Sequence, residues 1–201
     1  MIESIRRLGH GGIQIAGPQI IYIDPWRVPQ TSFLGDLILI THDHYDHFSP
    51  ADIERLRGPQ TRVFSNEKVA QQLSGVEVIR PWQSVALERT TVRAMPAYSH
   101  DLGHPASDGG LGFVISANLY DIYYTGDTQL IPEMNPIHPD ILILPIDGEG
   151  TMDADEAVQA VNLMRPRWVI PINWGFPDKG TTQREAESFQ RMVGSRAQVI
   201  L

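Results

Sequence analysis

The chain has 201 residues, 24 acidic and 16 basic side chains, a net charge of −8 at pH 7 and no cysteine. The missing thiols exclude disulfides, zinc ribbons and cysteine nucleophiles, so a bound metal must be held by histidine, carboxylate, amide, backbone or water. The acidic balance argues against general nucleic-acid binding, which needs a basic face.

Hydrophobic residues make up 42% and charged residues 20%, globular proportions that suit a single domain over 1–201. The opening MIESIRRLGHGG lacks the apolar stretch of a signal peptide, and no apolar run reaches membrane-spanning length. A cytoplasmic protein without membrane insertion is the expectation.

In chain order, residues 4–8, 12–16 and 19–23 read as short strands broken by Gly9-His10-Gly11-Gly12 and by Asp24-Pro25. Glycine turns between alternating runs predict an antiparallel meander. Next comes Asp36-Leu-Ile-Leu-Ile40, short and branched enough for a buried strand. It runs into THDHYDHFSP, Thr41 to Pro50, where His42, His44, Asp46 and His47 fall within six residues. Ser49 and Pro50 have the chemistry of an N-cap and first helical position, predicting a helix over 50–57. The ligand-rich stretch is therefore a tight loop between strand and helix.

A strand near 61–64, a helix near 66–73 and strands near 76–79, 84–88 and 91–96 follow. Met95 to Pro105 closes a strand and enters a loop carrying His100 and His104. A hairpin over 112–117 and 120–124 ends in Thr125-Gly126-Asp127-Thr128, and Asp127-Thr128-Gln129 reads as the start of a helix near 129–134. From Asp140 a buried strand leads to a turn with Asp147 and Glu149. The helix beyond it has a core stripe of Ala157, Val158, Val161 and Met164. A strand from Trp168 stops at Asn173, and a helix over 182–193 and a strand over 197–201 end the chain. The alternation is less regular than in a βαβ chain, which predicts mixed sheets with helices outside.

Imidazole and carboxylate are ligands for zinc and related divalent ions. In extended chain His42 and His44 point the same way, whereas the adjacent Asp46 and His47 point differently. That pattern suits two neighbouring ions.

H-x-H-x-D-H after a buried strand, with G-D-T after a later one, resembles the metallo-β-lactamase superfamily of metal-dependent hydrolases. The later segments are similar to its branch containing the L-ascorbate-6-phosphate lactonase. The resemblance covers nearly the whole chain. It implies an α+β fold, an αββα sandwich of two mixed sheets with the metals at one edge.

It also implies one or two divalent ions, zinc first, with manganese or iron as alternatives. By the same resemblance His42 and His44 hold the first ion, with a third ligand from the Ser99–His104 loop. His104 is favoured there and His100 is the second candidate. Asp46 and His47 hold the other ion, and Asp127 bridges, one oxygen to each. Asn173 stands where the family has histidine, as a weak ligand or an outer partner, and Asp147 or Glu149 is available to fill the gap. His10 reads equally as pocket lining or as a turn residue. Asp46 and His104 are the candidate catalytic residues. The implied substrate is a small ester, lactone or phosphodiester, and the alternative is a catalytically impaired metal- or ligand-binding relative. The oligomeric state is open.

Overall fold

A computed structural model describes residues 1–30, 32–100, 103–175 and 180–201. Two sheets face each other. The first has the order β1 (Ile5–Gly9), β2 (Gly12–Ile15), β3 (Ile21–Ile23), β4 (Gly35–Leu39), β5 (Arg57–Ser65), β6 (Glu77–Val78). The second runs from β7 (Ser84–Leu87) through β8 (Thr90–Pro96), β9 (Leu111–Ala117), β10 (Tyr120–Tyr124), β11 (Ile141–Pro145) and β12 (Trp168–Ile172) to β13 (Gln198–Val199). Each sheet begins antiparallel and continues parallel.

The apolar strands are continuous in sequence because both their faces are buried. Leu37 and Leu39 face the core between the sheets, together with Ile21, Ile23, Phe113, Ile122, Ile141 and Ile143. Ile38 and Ile40 point the other way, into a layer with Ile53 and Leu56 of α1 (Pro50–Leu56) and Val69 of α2 (Glu67–Ala70). Leu142 and Leu144 likewise turn outward, toward Ala157, Val161 and Met164 of α3 (Ala154–Met164) and Phe189 of α4 (Gln183–Val193). Helix, sheet, sheet and helix thus form the expected αββα sandwich. Each fully buried Leu, Ile or Phe contributes ~1.5–3 kcal/mol.

Side-chain caps set the helix starts. Ser49 accepts from Asp52 N with Pro50 in the first turn, and Asp153 accepts from Glu156 N. Thr182 and Glu185 form a capping box. The opening meander is present as expected.

The helix expected near 129–134 is reduced to a 3-10 turn over Pro132–Met134. Gln129 N donates to Tyr98 O and the Thr128 hydroxyl bonds the same carbonyl, so the cap chemistry there fastens a loop instead of starting a helix. The second predicted helix also shortens, to Glu67–Ala70. Among the described residues no helix is long and apolar enough to cross a membrane.

The parallel strands bring one edge to prominence. The carboxyl ends of β3, β4, β10, β11 and β12 lead directly into Asp24, Thr41-His42, Asp127, Asp147 and Asn173. Clefts outside the carboxyl ends of parallel strands are where such sheets place their chemistry. Gly126 fits there because its φ is +69° and a Cβ would collide with the Leu111 carbonyl oxygen. Gly126→Ala should therefore lower the unfolding free energy by ~2 kcal/mol or more, the sum of left-handed strain and a backbone clash. Denaturant titration checks this, and an unmoved midpoint would contradict it.

Candidate metal centre

Asp24 follows β3 with a φ of 45° and is wholly buried. Its Oδ1 accepts from Thr41 N at 2.8 Å. Its Oδ2 accepts from the Thr41 hydroxyl at 2.7 Å and from the Tyr124 hydroxyl at 3.1 Å, and pairs with His47 Nδ1 at 2.8 Å. One carboxylate thus fastens the start of the ligand loop, its last histidine and the end of β10 in the other sheet.

These bonds fix the histidine tautomers. The single proton of the Thr41 hydroxyl goes to Asp24, so Thr41 Oγ1 accepts from His42 Nδ1, 2.8 Å away. A carboxylate oxygen only accepts, so His47 Nδ1 carries the proton it shares with Asp24. In the neutral rings both Nε2 lone pairs are left free. Both Nε2 atoms are buried without a well-formed hydrogen bond, facing Asp127 Oδ2 at 3.9 and 3.3 Å. Buried imidazole lone pairs braced from behind by hydroxyl and carboxylate are what a metal site needs. The donor set fits a divalent ion.

Three groups of ligand atoms lie within 4.8 Å of one another: His42, His44 and His104; His10, Asp46 and His47; and His42, His47 and Asp127. The third group joins the other two. Asp127 does not divide its oxygens as expected. Oδ2 faces His42, His47 and His104, the last at 3.7 Å, whereas Oδ1 accepts from Asn173 Nδ2 at 3.0 Å.

His104 reaches the first group because its loop closes on itself. Ser99 N donates to His104 O at 2.7 Å, and His104 N donates to Ser99 Oγ at 2.9 Å. Ser99, which opens the loop expected to supply the third ligand, serves to hold His104. Asp101 and Leu102, inside this loop, lie outside the described residues.

His100 is not brought to any of the three groups. It is exposed, with its ring edge-on to Tyr98 at 5.7 Å, and its N–H donates to Gln129. Neither Asp147 nor Glu149 joins a group either: Glu149 is exposed, and Asp147 accepts from the Thr151 hydroxyl. Asp24, Thr41 and Tyr124 carry no ligand-like spacing. In the sequence Asp24 stood out only as the residue that ends a short strand before Pro25.

Burial, reinforced by the charge of His47, holds the His42 imidazolium well below the usual range. Burial also opposes charge on His47, but Asp127 and Asp24 overcome it and raise this ring well above that range. Asp127 is held well below the carboxylate range: burial opposes its charge, and His47, His42 and His104 outweigh burial. Without metal, His47 and Asp127 form a buried ion pair, and binding a cation must displace the His47 proton.

Two outcomes follow from this network. Asp24→Asn removes an acceptor that cannot be replaced, and metal affinity should fall ~10–100-fold, as read by competition with a chromophoric chelator. Asp147 is pushed up to about 6 by burial and then by the charge of Asp127. A raised carboxyl keeps its proton in the folded state, so metal-free protein should lose stability as pH climbs from ~4 to ~6. Asp147→Asn should flatten that part of the curve, gaining on the parent at pH 7 but not near pH 3.5. Parallel melting curves at all pH values would refute this.

The profile of the beta-lactamase superfamily domain matches residues 5–173. A UPF0173 metal-dependent hydrolase of Thermococcus kodakarensis is 30% identical over 98% of this chain and 95% of its own. Among solved structures, a protein of Parabacteroides distasonis named as a metal-dependent hydrolase superimposes with a TM-score of 0.87 at 25% identity. The match covers 98% of this chain and 90% of that one. Igni18, a metallo hydrolase of Ignicoccus hospitalis, gives 0.78 at 26% identity, covering 98% and 93%. With the αββα sandwich and the histidine-aspartate edge already in place, the chain belongs to the β-lactamase superfamily, among the UPF0173 metal-dependent hydrolases.

Proposed function

We propose that the protein hydrolyses a small ester, lactone or phosphodiester with a metal-activated water. The observation that carries this is the pair of buried Nε2 atoms of His42 and His47, each ring held at Nδ1 from behind and both facing one oxygen of Asp127. Zinc is the first candidate ion, with manganese and iron as alternatives. A bound divalent ion lowers the pKa of its water from ~16 toward ~7, making hydroxide available at neutral pH.

The chain's own residues do the rest. His42, His44 and His104 form one holding group, and only His44 and His104 reach the open side of the site. Substrate therefore enters past these two rings, with Tyr45 exposed beside them. Asp127 is kept from rotating by Asn173, so its inner oxygen stays between the two groups. Asp46 sits in the second group and is the carboxylate placed to take the proton of the attacking water. No cysteine exists, and no serine lies in a G-x-S-x-G turn, so the chain offers no activated nucleophile of its own.

The replacement of the family's histidine by Asn173 favours one competing reading, a metal-binding relative that has lost turnover. A panel of lactones, esters and phosphodiesters, assayed with zinc- and manganese-loaded protein, separates the two. Hydrolysis that chelator abolishes and metal restores, falling as pH drops and without a product burst, is the expected result. Full metal content with no turnover on any substrate would favour the binding protein. His42→Ala/His44→Ala should lose the ion and all hydrolysis; unchanged metal content in that variant would refute the site.

A further inference from the structure

We propose that His10 is a direct ligand of the second metal ion, supplying the imidazole that Asn173 lacks. This rests on the metal-dependent reading above and assigns the coordination of its second site.

The two positions are neighbours across the gap between the sheets. Asn173 N donates to His10 O at 3.2 Å, and Arg7 binds Trp174 O at 2.8 Å while its guanidinium lies 3.6 Å over the Trp174 ring. The β1–β2 turn is thereby pinned against the end of β12. The turn that carries His10 and the residue at 173 therefore border one small volume beside Asp127.

His10 is built to point into that volume. It sits at a φ of 34° and is 2% exposed. Its Nε2 lies 3.2 Å from Asp46 Oδ2, and its ring centroid is 5.4 Å from that of His47. Two ligand atoms on one tetrahedral zinc, each at ~2.0–2.2 Å, are ~3.3–3.6 Å apart. The His10–Asp46 spacing is close to that edge length. Gly11 makes room, because a Cβ there would meet His47 Cε1 at 2.8 Å and the Tyr124 hydroxyl at 3.0 Å.

Asn173 is turned to a different task. Its amide nitrogen, not its oxygen, faces Asp127 at 3.0 Å. The reverse orientation would set two oxygens against each other. The second ion is then held by His10, Asp46, His47 and the inner oxygen of Asp127; Asn173 Oδ1 is also buried without a hydrogen-bond partner, and the Asn173→Ala count reads whether it contributes.

The test is metal counting combined with a bond-specific probe. Zinc per chain is measured by mass spectrometry for the natural protein and for His10→Ala, Asn173→Ala and His10→Ala/Asn173→His. Expected are two ions for the natural protein and Asn173→Ala, and one for His10→Ala, its second-site affinity lowered at least ~10–100-fold. The double variant should regain the second ion, since histidine tolerates the left-handed backbone at 173 (φ 61°).

Histidine-¹⁵N protein loaded with ¹¹³Cd gives the direct reading without a substitution. His10 should show scalar coupling to cadmium, as should His47, while His100 and His138 should not. Two ions retained in His10→Ala, or coupling from His47 but none from His10, would overturn the proposal and leave the first site intact. No metal bound by the natural protein would instead overturn the reading on which it rests.

Discussion

The Asp24 carboxylate is the constraint on which the metal edge depends. It is buried at the end of β3 and takes up Thr41 by backbone and hydroxyl, His47 by its ring and Tyr124 by its phenol. Each partner belongs to a different part of the site: the entry to the ligand loop, its exit, and the opposite sheet. The buried charge is tolerable because both oxygens are fully engaged. The same bonds choose the histidine tautomers: His42 turns an Nε2 lone pair inward, and His47 does so once its Nε2 proton is displaced.

The rest of the edge is arranged around that frame by backbone. Parallel strands in both sheets end on one side, and short loops leave them carrying one or two polar groups each. Leu111 N donates to Thr41 O, joining the sheets beside the ligand loop. The first group of histidines opens outward through His44 and His104, while the second is closed beneath His10 and Asn173. An open and a closed group thus lie side by side, with Asp127 Oδ2 facing His42 and His104 of the first and His47 of the second.

Much of this was legible in the sequence, for identifiable reasons. Branched apolar runs announced the strands because both faces of each are buried, and Ser49-Pro50 announced its helix because capping is local chemistry. The ligand loop was visible because four donors in six residues have few other uses. What failed depended on tertiary partners. Asp127-Thr128-Gln129 has helix-start chemistry, but Tyr98 takes its hydrogen bonds. The part of Ser99 in that loop is visible only once its hydroxyl is seen receiving His104 N. The relation of His10 to Asn173 was invisible in sequence, because only the fold brings the β1–β2 turn against the end of β12.

The most direct test of the metal edge is a crystal structure of the protein grown with zinc, with anomalous data collected on either side of the zinc absorption edge. Two peaks are predicted, one among His42, His44 and His104 and one among His10, Asp46 and His47, with Asp127 between them. Crystals with no anomalous peak in either group, or zinc bound only at exposed histidines such as His100 and His138, would contradict the assignment of this edge as a metal centre.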